Sequence, residues 1–175
     1  MVNGTRYFSG VDIRGYSSLI INFKGFKKIT GILGMDTIDV SGLAYQYGSK
    51  IFEKYFADCY ELTELYKYRG AANVPWNFED WSSGDNAKQF TTLSRMFQNC
   101  YKLKNVHIQG WKKLNAKNLI DASYMFENCH SIENIDSWTW TTPALKTVEG
   151  MFNSCCSVDA NGNVINGLSS AEIRF

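Results

Sequence analysis

Apolar residues recur along this chain with a fixed local step. Phe90 and Leu93 precede Met96, Leu119 and Ala122 precede Met125, and Leu145 and Val148 precede Met151, in each case at six and three residues. A step of three places successive apolar side chains on one helical stripe, and with Phe97, Phe126 and Phe152 added each stripe covers about two turns. A helix that short is unstable alone and has to dock on its neighbours. Pro143, two residues before Leu145, fits the first turn of such a helix, where a missing N–H costs little. A second pattern lies further on: Leu62-x-x-Leu65, Leu103-x-x-Val106-x-Ile108 and Ile132-x-x-Ile135, with Val158 opening a last copy. Polar and apolar residues alternate from Lys104 to Ile108, as in a strand with one buried face.

Between the two patterns sits a repeated pentapeptide: Met96-Phe97-Gln98-Asn99-Cys100, Met125-Phe126-Glu127-Asn128-Cys129, Met151-Phe152-Asn153-Ser154-Cys155 and a degenerate Tyr55-Phe56-Ala57-Asp58-Cys59. Its cysteines are 41, 29 and 26 residues apart, so the later spacings approach the span of a leucine-rich repeat and the first holds an insertion. One unit then reads as helix, tight turn, strand and return loop. No unit buries its stripe alone, so the units stack and their strands align as a parallel ribbon. The predicted architecture is an α/β repeat: a leucine-rich-repeat-like solenoid with a short helix and a short strand per unit, capped at both ends. It forms one domain, with an N-terminal cap over residues 1–48, four units over 49–158 with an insertion at about 66–89, and a C-terminal cap over 159–175. The first unit opens with a helix from about Ser49 to Phe56. In the C-terminal cap, Asn161-Gly162 and Asn166-Gly167 are turn signals around Val164-Ile165, and Ile173-Arg174-Phe175 reads as a final short strand. Phe56, Cys59, Met96, Phe97, Cys100, Met125, Phe126, Cys129, Met151, Phe152 and Cys155 are the expected repeat core.

The run Met-Phe-x-Asn-Cys-x-x-Leu-x-x-Ile resembles the leucine-rich repeats of bacterial surface proteins of the BspA-like type. The resemblance covers about residues 50 to 160 and is most specific from Met96 to Val158, where three copies keep the motif. It implies a leucine-rich-repeat solenoid, a place at the cell surface or outside the cell, and a role in adhesion and ligand binding.

Composition narrows the classes of function. The 175 residues are 45% hydrophobic, enough for a continuous core without a metal or a partner chain. Lys and Arg number 18 against 17 Asp and Glu, so no long-range field draws the chain to nucleic acid or anionic lipid. No window approaches the length of a membrane span, and Met1 to Arg6 lack the charged start and apolar run of an export signal. That fits a protein used inside a cell, one released with a larger particle, or one that has lost its leader. Asn3-Gly4-Thr5 is formally a glycosylation acceptor and carries no weight without a signal.

The cysteines are odd in number, lack a C-x-x-C pair and fall at one repeat position, so they read as buried free thiols, with Cys156 beside the pattern. Neither a metal site nor a cofactor is expected. His107 and His130 lie in different units, and no converging nucleophile, base and carboxylate points to catalysis. Asp58, Asn99 and Asn128 are expected to bond turn backbone. Trp81, Trp111 and Trp138 or Trp140 recur at one repeat position and are expected in the core. The insertion is the best binding candidate, because large rigid rings beside polar groups supply contact area at low entropy cost. Its candidate residues are Tyr66, Tyr68, Trp76 and Phe78. The leading expectation is a non-enzymatic module for a protein or glycan ligand. The alternative is a structural or decoration component of a phage or viral particle.

Overall fold

A computed structural model describes residues 11–12, 22–34, 49–66, 90–104, 114–132, 135–158, 164–167 and 171–174. Among them the Met-Phe segments are runs of tight turns, and no α-helix occurs where two helical turns were predicted, including the stretch from Ser49 to Phe56. The reason is a second source of period three. Met96 N donates to Leu93 O, Cys100 N to Phe97 O and Leu103 N to Cys100 O, so the inward apolar residues are the corners of consecutive three-residue steps. Two corners per segment hold a residue in the left-handed region, which no α-helix accommodates. They lie two residues before the phenylalanine, at Lys54, Arg95, Tyr124 and Gly150 (φ 54–58°), and two after it, at Asp58, Asn99, Asn128 and Ser154 (φ 55–64°). A positive φ at the third residue of a four-residue turn is the type II geometry.

Each segment is a coil bonded side by side to the next. Phe56 N donates to Met96 O (2.8 Å), Phe97 N to Met125 O (2.8 Å) and Phe126 N to Met151 O (2.9 Å), and the residue two further on repeats the bond each time. The same register reaches back into the expected N-terminal cap. Phe23 N donates to Tyr55 O (3.0 Å) and Gly25 N, at φ +80°, to Ala57 O (2.8 Å), so residues 22–33 form one more coil, with Phe23 in the phenylalanine position.

Short strands continue the coils. β1 (Val11–Asp12), β2 (Gly31–Leu33) and β3 (Glu64–Tyr66) form a parallel sheet in which Val11, Ile32 and Leu65 are aligned. β4 (Ile135–Thr139) pairs in parallel with β7 (Ala171–Arg174), where the last strand was expected. β5 (Cys156–Val158) pairs antiparallel with β6 (Val164–Gly167), so Asn166-Gly167 lies in a strand and not at a turn. Val106, Ile108 and His107 lie outside the described residues, as do Trp81 and Trp111. Trp140 is buried.

The core is a column of rings and thiols. Phe23, Phe56, Phe97, Phe126 and Phe152 stack face to face at centroid distances of 5.5, 5.1, 5.4 and 5.4 Å, with interplanar angles of 16° or less. The strand-like spacing of neighbouring coils dictates this pitch. Met96, Met125, Met151 and the four repeat cysteines are buried with them, and Phe152 at the end is partly buried.

Candidate recognition face

The cysteines are held by the coil geometry. Each thiol donates back to the phenylalanine carbonyl of the preceding coil: Cys59 to Phe23 (3.1 Å), Cys100 to Phe56 (3.2 Å), Cys129 to Phe97 (3.2 Å) and Cys155 to Phe126 (2.8 Å). All four are free and buried. Burial pushes the Cys59 thiol up to about 12, with the nearby Asp58 adding to the rise and a backbone hydrogen bond opposing it. Cys100 and Cys129 are raised well above the usual thiol range, again chiefly by burial. These thiols stay protonated in the folded chain, whereas in the unfolded chain they ionise near 9. Their contribution to stability is therefore complete below pH 9 and is lost as the pH rises from 9 towards 12. We expect the native protein to leave these four thiols unreacted with a chromogenic thiol reagent at pH 8, and to label them at once in denaturant. Fast native labelling of three or more cysteines would rule out the buried column.

Asp58, Asn99 and Asn128, expected to serve the turn backbone, bond to one another instead. Asn99 Nδ2 donates to Asp58 Oδ1 and Asn128 Nδ2 to Asn99 Oδ1, both at 2.7 Å. Left-handed φ places their side chains in line, and Asn and Asp accept that conformation best among non-glycine residues. A separate bridge runs through Glu127, which accepts from Gln98 Nε2 and from Asn153 Nδ2 (3.1 Å). Sequence spacing held the signal, a polar residue directly before every repeat cysteine.

The residue after the cysteine builds a second column, on the surface. Tyr60 and Tyr101 stack at 4.9 Å and 14°, Tyr101 and His130 at 5.0 Å and 9°, and Lys27 Nζ sits 5.4 Å from the centre of the Tyr60 ring. The three rings are half-buried, and Tyr101 is raised from the usual tyrosine range by desolvation and by the neighbouring Tyr60 and Asp58. One position on, Lys102 pairs with Glu61, and Lys104 lies 3.4 Å from Glu64. The result is a rigid strip of three ring edges, on the Phe56, Phe97 and Phe126 coils, beside two Lys–Glu pairs.

Two residues before the phenylalanine, the Arg95 guanidinium lies 4.8 Å from the centre of the Tyr124 ring, and the Tyr124 hydroxyl donates to Glu149 Oε1. That bond, first among the causes, raises Tyr124 from its ordinary range. The ring covers Gly150, where a Cβ would come within 2.4 Å of it. Elsewhere Lys50, Glu53, Thr91, Thr92, Ile120 and Asp121 line an open cleft of about 420 Å³, and the Asp121 carboxylate there already accepts from Ser123 N at 2.8 Å.

Of the residues singled out in the insertion, Tyr66 ends β3, half-buried and aligned with Leu33, while Tyr68, Trp76 and Phe78 lie outside the described residues. Among the described residues no group of three or more His, Cys, Asp or Glu is placed to hold a metal ion, and no helix is long and apolar enough to cross a membrane.

Residues 62–171 match the family model of a Mycoplasma protein of unknown function, DUF285. The chain belongs to this family. The matched span begins at Leu62, at the end of the Phe56 coil, takes in the Phe97, Phe126 and Phe152 coils with β4 and the β5–β6 pair, and ends at Ala171, the first residue of β7, so most of the surface column lies within it. No curated protein and no solved structure matches the chain.

Proposed function

We propose that this chain is a non-enzymatic recognition module, a leucine-rich-repeat-like solenoid that binds a protein or glycan at a cell surface, and that the Tyr60–Tyr101–His130 column is its contact strip. The observation behind this reading is the rigid presentation of those rings. Each is fixed by its coil and by a stacked neighbour at about 5 Å, so contact with a ligand orders little that is not ordered already. Stacked tyrosine edges with adjacent Lys and Glu groups offer apolar contact and hydrogen bonding together, the combination that recurs at recognition surfaces. The resemblance of the repeat to bacterial surface proteins agrees with this. The aromatic insertion holding Trp76 is the second contact element of the proposal.

The test is retention of the purified chain on a panel of immobilised glycans and on intact cells, with and without protease treatment of the cells. Changing Tyr60 and Tyr101 together to serine removes two half-buried rings and leaves the phenylalanine column intact. Retention is expected to fall at least about tenfold, the scale of one hot-spot aromatic, with the cooperative unfolding transition preserved. Retention unchanged by the double substitution would remove the column from the binding face.

A further inference from the structure

The Phe23 coil breaks the repeat rule at one position. Where the other coils carry Cys59, Cys100, Cys129 and Cys155, it carries Phe26. In the other coils that position is a thiol slot, with the sulfur about 3 Å from a main-chain carbonyl, and a phenyl ring has neither the donor nor the size for such a slot. The ring turns out instead. Phe26 is 53% exposed, the most exposed large apolar side chain among the described residues, and the Phe23 ring packs edge-on to it at 6.2 Å.

The turn that carries it is firmly built. Phe26 N donates to Phe23 O, Lys27 N to Gly25 O and Ile29 N to Phe26 O, while Gly25 is tied to the next coil. Gly25 has nothing within 4 Å of a Cβ position, so the tip stands clear of the rest of the coil. Lys24, Lys27 and Lys28 flank Phe26 in the chain and are all exposed, with the Lys27 ammonium over the Tyr60 ring. Within Lys24 to Thr30 there is no acidic residue, which sets this turn apart from a chain whose charges otherwise nearly balance.

We propose that the Lys24–Lys28 turn is a docking tip for an anionic lipid surface, with Phe26 entering the headgroup layer and the lysines around it meeting the headgroup phosphates. An apolar apex ringed by cations on a convex, preformed turn sorts each group into the layer it prefers at such an interface. An acidic protein partner would have to supply a pocket for the ring, and a flat anionic surface needs none. Each lysine brought to the surface contributes about a fivefold gain in partitioning, so the three together turn one shallow aromatic contact into measurable binding. This docking is peripheral and adjoins the ring column proposed as the recognition strip, because the Lys27 ammonium lies 5.4 Å from the centre of the Tyr60 ring.

The experiment is co-sedimentation of the full chain with vesicles of phosphatidylcholine alone and of phosphatidylcholine mixed with phosphatidylglycerol, at low and high salt. The expected result is binding to the anionic vesicles only, weakened by salt. Changing Lys24 and Lys28 together to glutamine is expected to reduce it by about 25-fold, and Phe26→Ser to reduce it separately. Lys117→Gln, which alters an exposed lysine outside both this turn and the ring column, is the control and leaves binding within about a factor of two. All these positions are exposed, and an unchanged melting transition in each variant confirms that the coil is intact. The proposal is overturned if the wild-type chain ignores anionic vesicles, if it binds them equally after the lysine and Phe26 substitutions, or if it binds polyglutamate while ignoring vesicles.

Discussion

Phe126→Ala is expected to lower the stability of the folded chain by about 3–5 kcal/mol. The ring is fully buried and stacked on both faces, by Phe97 at 5.4 Å and by Phe152 at 5.4 Å. Its removal leaves a cavity in the middle of a column whose pitch is fixed by main-chain bonds on both sides, so the neighbouring coils cannot close the gap without breaking their ladder. Small domains are stable by only about 5–15 kcal/mol, so this one change takes a large share of the total. Phe152→Ala at the end of the column removes a partly buried ring with one stacked neighbour and is expected to cost less than half as much. Urea denaturation followed by tryptophan fluorescence measures both. Equal losses at the two positions would mean that the column does not carry the stability assigned to it.

Asn99→Ala is expected to cost about 3 kcal/mol, and Asn99→Gly about 1 kcal/mol less, because two separable effects meet at this residue. The side chain donates to the Asp58 carboxylate and accepts from Asn128, each at 2.7 Å, so either substitution breaks the ladder in the middle. The backbone sits at φ +63°, where alanine is strained and glycine is not. The order of midpoints in denaturant should be wild type, glycine, alanine. A glycine variant no more stable than the alanine variant would show that the left-handed corner is not held at Asn99.

Part of this architecture was legible from residue spacing, and the part that was not has a physical reason. The Met-Phe-x-x-Cys pentapeptides name the residues that stand in the buried column, and spacing alone shows that successive units carry equivalent positions. The three-residue step was read as helix because a helix repeats at 3.6 residues and a series of tight turns at three, a difference too small to register over seven residues. What separates the two is the left-handed corners, and Lys54, Arg95 and Tyr124 occupy them without belonging to the residue types that advertise that conformation. The Phe23 coil was hidden by Phe26 and Gly25, which replace the cysteine and the Asn or Asp of the motif. Its other spacings survive, since Phe23, Ile29 and Ile32 follow one another as Phe56, Leu62 and Leu65 do. The surface column was invisible for a different reason. Tyr60, Tyr101 and His130 share a repeat position and a stacking role but not an amino-acid type, and only the aligned coils bring them together.

The bonds between coils also give the chain an electrical polarity. In the peptide unit joining Met96 to Phe97, the carbonyl accepts from the coil before and the N–H donates to the coil after, and the same holds for the units joining Ser94 to Arg95 and Gln98 to Asn99. Such peptide dipoles point along the axis of stacking and add from coil to coil, as they do along an α-helix. The positive pole falls at the Phe152 coil. Among the described coils the negative end of the run is the Phe23 coil, and Lys24, Lys27 and Lys28 stand there, cations placed where the summed field of the backbone favours them.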